Sequence, residues 1–204
     1  DEHPATFSPT MISNFISFFT KSGQSVIDPF AGIGTTLVAC QRTKRKGIGI
    51  ELNKKYFKIA KIRTNQKIFN GNSSEINDIL SKNKIKNIDF CITSPPYWNV
   101  LNRSTGGFKN KREEKKLDYN YSKKEKDLGN IDDYEVFIDK LVDIFIDLKK
   151  FLKKDAYVIV ILKNVKKGGK NYPIAWDFAK KMSEIYTLKD EKIWCQDKVG
   201  LAPF

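Results

Sequence analysis

One histidine, His3, and three widely separated cysteines, Cys40, Cys91 and Cys195, are all that these 204 residues offer of the side chains favoured in metal sites and thiol chemistry. The cysteine count is odd and no C-x-x-C occurs, so neither a disulfide framework nor a zinc site is expected, and reduced thiols in a cytosol fit better. A histidine-based catalytic triad or a bound metal is unsupported on the same ground. No apolar run approaches the roughly 18 residues of a membrane span, and no signal peptide is seen, so the chain reads as soluble and intracellular. Acid is the scarcer charge. Asp and Glu number 24 against 37 Lys and Arg, a formal net charge of +13. Such an excess points to a polyanionic partner, nucleic acid or an acidic membrane surface, unless it reflects only a lysine-rich proteome.

What is present is an ordinary globular composition, 40% apolar and 30% charged, and enough chain for one α/β domain with a real core. Strand and helix patterns alternate. Ile12, Phe15, Ile16 and Phe19 recur at helical spacing behind Ser8-Pro9. SVIDPF (25–30) is a short strand stopped by Pro29, and AGIGTTLVACQRT (31–43) is a glycine turn running into a helix. GIGIE (47–51) is a second strand, and 53–63 an amphipathic helix capped by Asn53. QKIFNGN (66–72) is a third strand, 73–80 a short helix opened by a serine cap, and IDFCITS (88–94) a fourth strand. A long amphipathic helix spans 132–153, AYVIVIL (156–162) is a buried strand, a helix starts at Pro173, and 188–196 reads as a late strand. Alternation of this kind implies a mostly parallel sheet with helices on both faces. The segment 99–130 is polar and basic, with nine Lys or Arg against four Asp or Glu inside 103–126 and Phe108, Tyr119 and Tyr121 between them.

Ligands of an open parallel sheet sit beyond the carboxyl ends of its strands. Three candidates collect there. The turn DPFAGIGTT (28–36) has Gly32 and Gly34 for a tight bend and close backbone approach, and the helix that follows offers free N–H groups. Glu51, at the end of the second strand, can accept hydrogen bonds from both hydroxyls of a ribose. Asn72, after the third strand, can meet an adenine edge. Asp28 can cap the turn or bind an ammonium group. A dinucleotide fingerprint would require G-x-G-x-x-G, but Leu37 stands at the third glycine, which weakens a dehydrogenase reading.

At the carboxyl end of the fourth strand comes TSPPYW (93–98). Proline has no N–H and a fixed φ, so the strand must stop there in a rigid corner. At this point the chain resembles the amino-group DNA methyltransferases, which modify cytosine N4 or adenine N6. DPFAGIGTT is similar to their S-adenosylmethionine motif and TSPPYW to their catalytic motif; HPATFSPTMI (3–12), GIGIELN (47–53) and DLGNIDDYEVFIDKL (127–141) resemble further family segments. The likeness covers nearly the whole chain outside 99–126. It implies a Rossmann-like methyltransferase fold over 1–204 as a single catalytic domain, with 99–130 as a mobile basic insertion and a C-terminal strand left incomplete at GLAPF.

The resemblance also implies roles. Ser94, Pro95, Pro96 and Tyr97 form the catalytic corner. Thr6, Phe7, Asp28, Pro29, Phe30, Ala31, Gly32, Gly34, Thr35, Thr36, Glu51, Leu52, Asn72 and Ser73 hold S-adenosylmethionine, which leaves as S-adenosylhomocysteine. Trp98, Arg103, Lys109, Lys111 and Arg112 meet DNA, with Trp98 equally readable as core and the basic segment equally readable as a solvated loop. An exocyclic amine needs no cysteine nucleophile. It needs acceptors for its N–H groups, which Ser94 Oγ and the Pro95 carbonyl can be, while Tyr97 offers a stacking face for a flipped base. Serine at the Ser94 position goes with cytosine N4 in the family, and Asp or Asn with adenine N6. Carbon-5 methylation would need a cysteine after the proline, and none is there. The family often has Asp at the Asn72 position. The cofactor segment precedes the catalytic one, the reverse of many cytosine-N4 enzymes, and no separate target-recognition domain is evident. Duplex DNA is the expected partner, with a companion restriction endonuclease and no membrane, in a prokaryotic cytoplasm. Adenine-N6 methylation, an RNA or protein-glutamine methyltransferase, and a non-catalytic nucleic-acid-binding module are the alternatives. No metal is expected.

Overall fold

The computed structural model describes residues 8–98 and 128–194. Thr6, Phe7, Arg103, Lys109, Lys111 and Arg112 lie outside the described residues, as do 99–127 and the C-terminal GLAPF.

Helix α1 (Pro9–Phe19) starts as its sequence dictates, with the Ser8 hydroxyl accepting from Thr10 N at 3.3 Å and Pro9 in the first turn. Next come β1 (Ser25–Asp28), α2 (Thr35–Arg42), β2 (Lys46–Glu51), α3 (Lys54–Arg63) with its Asn53 cap, β3 (Lys67–Asn70), α4 (Ile76–Lys82) and β4 (Ile88–Thr93). Beyond residue 127 follow α5 (Tyr134–Lys149), β5 (Leu152–Val160), the short strands β6 (Val165–Lys167) and β7 (Lys170–Tyr172), and α6 (Ile174–Met182).

The first five strands form one parallel sheet in the order β3-β2-β1-β4-β5. Successive strand residues feed opposite layers. Val26, Phe90 and Ile92 pack with Ile12 and Ile16 of α1 and Ala39 and Cys40 of α2. Ile27, Ile48, Ile50 and Cys91 pack on the other face with α4, α5 and α6. The chain leaves β1 toward β2 on one side and returns through β4 on the other, so strand order reverses between β1 and β4. The crevice at such a reversal is where open α/β sheets bind ligands.

Leu37, where a dinucleotide fingerprint has its third glycine, is fully buried. The clearance comes from the strand beneath it. A Cβ added to Gly47 would lie 3.0 Å from Leu37 Cδ2, and one added to Gly49 would lie 3.0 Å from both Leu37 Cδ1 and Ala31 Cβ. Close approach of helix and strand is kept, with the small residues on β2 instead of α2.

Several boundaries differ from the sequence expectation. The long helix ends at Lys149, four residues early, and β5 begins at Leu152. Lys153, Lys154 and Asp155, the second to fourth residues of β5, are exposed, and β5 has a sheet neighbour only on its β4 side among the described residues. Residues 73–75 form a 3-10 turn ahead of α4, and Asn72, not a serine, caps it by accepting from Ser74 N at 3.0 Å. The late strand expected at 188–196 is not formed over 188–194, where Leu188, Ile193 and Trp194 are exposed. An alternating pattern becomes a strand only when a neighbour supplies the ladder, and no described strand pairs with it. The β6–β7 hairpin was absent from the sequence expectation.

Candidate active site at the carboxyl ends of the strands

The turn after β1, Glu51, the Asn72–Ser73 exit of β3 and the Ser94–Tyr97 corner follow four adjacent strands of one parallel sheet and therefore meet along one edge. How each is held separates residues that face a ligand from those that brace the site.

Asp28 braces. Its carboxylate is 4% exposed; Oδ1 accepts from Phe30 N at 3.0 Å and from the Thr93 hydroxyl at 2.6 Å, and Oδ2 from the Thr36 hydroxyl at 2.6 Å. Burial raises its pKa above the ordinary carboxylate value, and the bonds from Thr36, Thr93 and Phe30 hold it down. With three donors on a buried carboxylate, Asp28 ties β1 to the first turn of α2 and to the end of β4, in keeping with the turn-capping reading. Thr36 is turned inward for the same reason. Ser73 is buried too, and its hydroxyl donates to the Pro29 carbonyl, locking the β3 exit against the β1 turn.

The glycine turn is positioned from three sides. Ala31 N donates to Ile50 O at 2.9 Å, Gly32 N donates to Glu51 Oε2 at 2.8 Å, and the Arg63 guanidinium donates to Ile33 O at 2.9 Å. Gly34 opens α2 at φ +82, and a Cβ there would lie 2.9 Å from Ala60 Cβ, so only glycine lets α3 approach. Pro29 and Ala31 are buried, while Phe30, Thr35 and Leu52 are partly exposed.

Glu51 is 9% exposed, with Oε1 accepting from Asn53 N at 2.6 Å and Oε2 from Gly32 N. These two backbone amides fix the plane of a carboxylate that has roughly four acceptor sites. Asn70 supports it from behind, donating through Nδ2 to Glu51 O at 2.8 Å. Asn72 Oδ1 serves the cap described above, so an adenine contact would have to share that oxygen or use the amide nitrogen.

Across the reversal, the two prolines turn the chain out of β4. Pro95 is buried, and Ser94, Pro96 and Tyr97 are partly exposed. Ser94 Oγ and Tyr97 Oη are 3.3 Å apart, and either can donate. Burial raises the Tyr97 pKa and the Ser94 contact lowers it, with burial prevailing, so Tyr97 stays a neutral phenol. Trp98 does not present a surface ring. It is 3% exposed, at φ +29, inside an aromatic cluster with Tyr134 and Tyr172, and its Nε1 has no hydrogen-bond partner among the described residues. This packing favours the core reading of Trp98, as a buried anchor of the corner. Cys91, fully buried in β4, and Cys40 are core residues; burial, with Asp28 adding to it, pushes the Cys40 thiol up to about 12 and the Cys91 thiol well above its ordinary value.

Thr93, Arg63 and Asn70 were not singled out from sequence. Each acts through a backbone group or a buried carboxylate in another element, and the only local signal was a hydroxyl directly ahead of the Ser-Pro-Pro corner. No helix among the described residues is long and apolar enough to cross a membrane.

Residues 1–62 match the model of the N6/N4 methyltransferase family, described as DNA methylase. The type II methyltransferase M.Cfr9I of Citrobacter freundii is 48% identical over 58 residues, which are 28% of this chain and 19% of that protein. The type II methyltransferase M2.LlaDCHI of Lactococcus lactis subsp. cremoris is 42% identical over 65 residues, 32% of this chain and 24% of that protein. The chain thus matches about a fifth to a quarter of the length of these relatives. Among solved structures, a TehB-like S-adenosylmethionine-dependent methyltransferase from Corynebacterium glutamicum superposes with TM-score 0.52 at 11% identity, covering 89% of this chain and 74% of that one. A precorrin 8w decarboxylase from Methanobacterium thermoautotrophicum gives the same four values. That two such different activities fit equally well shows what the superposition carries, which is the fold. Residues 1–62 bear the signature of the amino-group DNA methyltransferases, on the Rossmann-like fold that S-adenosylmethionine-dependent methyltransferases share.

Proposed function

We propose that the chain is a DNA amino-methyltransferase that moves a methyl group from S-adenosylmethionine to the exocyclic N4 amine of cytosine in duplex DNA. The observation that carries this reading is the Ser94-Pro95-Pro96-Tyr97 corner at the end of β4, directly across the reversal from the glycine turn and tied to it through the Thr93–Asp28 bond.

The residues of the first half fit the cofactor. The turn at 31–34 brings backbone close to the crevice, and Glu51 holds a fixed, nearly buried carboxylate at the end of β2, the chemistry that two vicinal ribose hydroxyls require. Leu52, Phe30 and Thr35 supply partly exposed surface beside it. When bound, S-adenosylmethionine would supply a methyl carbon on a sulfonium sulfur that leaves as a neutral thioether, while the methylated nitrogen gives up one of its two N–H protons to solvent.

The second half handles the amine. An exocyclic amine is nearly planar, and its lone pair is delocalised into the ring. Acceptors on its N–H groups pull the nitrogen toward a tetrahedral shape and aim the lone pair. Ser94 Oγ can accept one N–H when its own proton goes to Tyr97 Oη, and the Pro95 carbonyl, in a segment without competing N–H donors, accepts the other. The prolines fix φ in advance, so little orientation entropy is lost on binding. Tyr97 gives an uncharged aromatic face for a base turned out of the duplex. Serine at position 94 favours cytosine N4 over adenine N6, following the family preference.

Mass analysis of nucleosides from DNA incubated with the protein and S-adenosylmethionine tests the proposal. N4-methylcytosine is the expected product. N6-methyladenine would keep the amino-methyltransferase and overturn the base assignment, and no methylated nucleoside together with no cofactor binding by calorimetry would leave a nucleic-acid-binding module.

A further inference from the structure

Residues 163–172, KNVKKGGKNY, hold four lysines and no acid. They fold into the β6–β7 hairpin, with Lys166 opposite Asn171 and Lys167 opposite Lys170. Gly168 and Gly169 turn at φ +58 and +77, the left-handed pair that closes a two-residue hairpin tightly. Like charges placed opposite each other oppose strand pairing, yet among the described residues none of these four lysines pairs with a carboxylate. Some lysines elsewhere do: Lys140 with Asp143, Lys150 with Asp147, Lys153 with Asp89, and Lys181 with Asp139 and Glu135. The hairpin is therefore a local concentration of uncompensated positive charge.

It is also firmly docked, and on the catalytic corner. Val165 is buried. The Tyr172 ring lies 4.7 Å from Trp98 and 5.1 Å from Tyr134, centroid to centroid. Lys167 Nζ sits 3.7 Å above the Trp98 ring, and Asn164 Oδ1 accepts from Ala175 N at 3.1 Å at the start of α6. Trp98 adjoins Tyr97 in the chain, so the hairpin leans on the residue that follows the amine clamp. Lys163, Lys166 and Lys170 remain exposed.

We propose that the β6–β7 hairpin is a DNA-phosphate contact, docked on Trp98 so that its lysines meet the backbone flanking the base held at Ser94–Tyr97. The proposal rests on the DNA reading given above. A base can reach the corner only with its own phosphates alongside, and a rigid tip whose ammonium groups have no carboxylate partner among the described residues answers that charge by releasing counterions.

The test is fluorescence-anisotropy titration of a labelled mixed-sequence DNA duplex over a salt series, using the full chain. The variant Lys166→Gln/Lys170→Gln keeps the Lys167–Trp98 contact and gives up the looser 5.1 Å contact of Lys170 with the Tyr172 ring. Its control, Lys82→Gln/Lys86→Gln, removes the same charge from exposed positions at the end of α4 and just ahead of β4, near the opposite edge of the sheet. The hairpin variant should bind more weakly, with the slope of log affinity against log salt reduced by about two. The control should keep the wild-type slope, and both should bind S-adenosylmethionine as wild type does. An unchanged slope in the hairpin variant, an equal loss in the control, or no DNA binding by the wild-type chain overturns the proposal. Hairpin-dependent DNA binding without methyl transfer by the wild-type chain would sustain the hairpin and sink the enzymatic reading alone.

Discussion

The two halves of the site, on either side of the β1–β4 reversal, are stabilised by different means. On the glycine-turn side, polar groups from separate elements hold one another. Three donors converge on Asp28, two amides on Glu51, Ser73 reaches Pro29, and Arg63 reaches Ile33. Within 94–98 the side-chain hydrogen bond among the described residues is the 3.3 Å Ser94–Tyr97 contact, and rigidity comes from proline φ values and from Trp98 packed among aromatic rings. One half is preorganised by hydrogen bonds across tertiary structure, the other by covalent stiffness and apolar packing. Substitutions should therefore divide cleanly between cofactor binding and turnover.

The largest effect is expected at Ser94. Ser94→Ala should cut turnover about a hundredfold or more, in the range for removing one positioned polar group from a reacting centre, with cofactor affinity unchanged by calorimetry. Full activity in this variant would remove Ser94 as the acceptor. Tyr97→Ala should behave similarly, with its loss seen also in the fluorescence of a reporter base at the target position. Glu51→Ala should do the reverse, weakening the cofactor by about 1.5–3 kcal/mol for lost bonds to a charged group. It also strips Gly32 N and Asn53 N of their acceptor, so Glu51→Gln should fall between the two. Gly34→Ala, with its Cβ 2.9 Å from that of Ala60 at φ +82, should lower thermal stability by about 1–3 kcal/mol, and a neutral result would show that α2 and α3 can separate freely.

Smaller but sharper is a pH comparison of two aspartates in neighbouring strands. Asp28, whose folded pKa is raised, contributes most below the ordinary carboxylate value near 3.9 and loses ground as pH climbs through its folded pKa. Asp89, at the opposite edge of the sheet, accepts from Ser25 N at 2.8 Å and pairs with Lys153 at 2.5 Å. Its burial would raise its pKa, but the bonds from Lys153 and Ser25 prevail and lower it. Its contribution is present above that same ordinary value and disappears as pH falls through the lowered folded value. Thermal melts across pH should thus show wild type losing stability relative to Asp28→Asn as pH rises, and relative to Asp89→Asn as pH falls. A tenfold difference in proton affinity between folded and unfolded chains corresponds to about 1.4 kcal/mol. Parallel curves for the two variants would contradict this. Least of all, iodoacetamide should leave Cys40 and Cys91 unmodified in the folded protein, since both thiols are buried and held protonated.

Much of this was legible in the sequence because it is written locally. Asn53 caps α3, Pro29 and Pro95 stop their strands, and the alternation of strands with helices gives the parallel sheet. What stayed hidden is tertiary. Leu37 looked like a defect in a glycine fingerprint until Gly47 and Gly49 were seen beneath it. The donors that hold Asp28 in place include the hydroxyls of Thr36 and Thr93, eight and 65 residues away. The cap ahead of α4 was expected from a serine, and Asn72 supplies it instead, because its side-chain oxygen reaches Ser74 N. The β6–β7 hairpin has strands of only three residues each, below the length at which periodicity speaks. The alternation at 188–194 was real but had no described strand to pair with.

The reversal between β1 and β4 also bears on how the chain assembles as it leaves the ribosome. Ser25 pairs with Lys46, whereas Val26 pairs with Phe90, so the second pairing closes a loop about three times longer. That costs roughly 1 kcal/mol more in chain entropy, and β4 emerges only after β1, β2 and β3 have been made. The glycine turn and Glu51 can therefore be in place before the Ser-Pro-Pro corner exists, and Thr93 closing onto Asp28 marks the moment when the two halves of the crevice are joined.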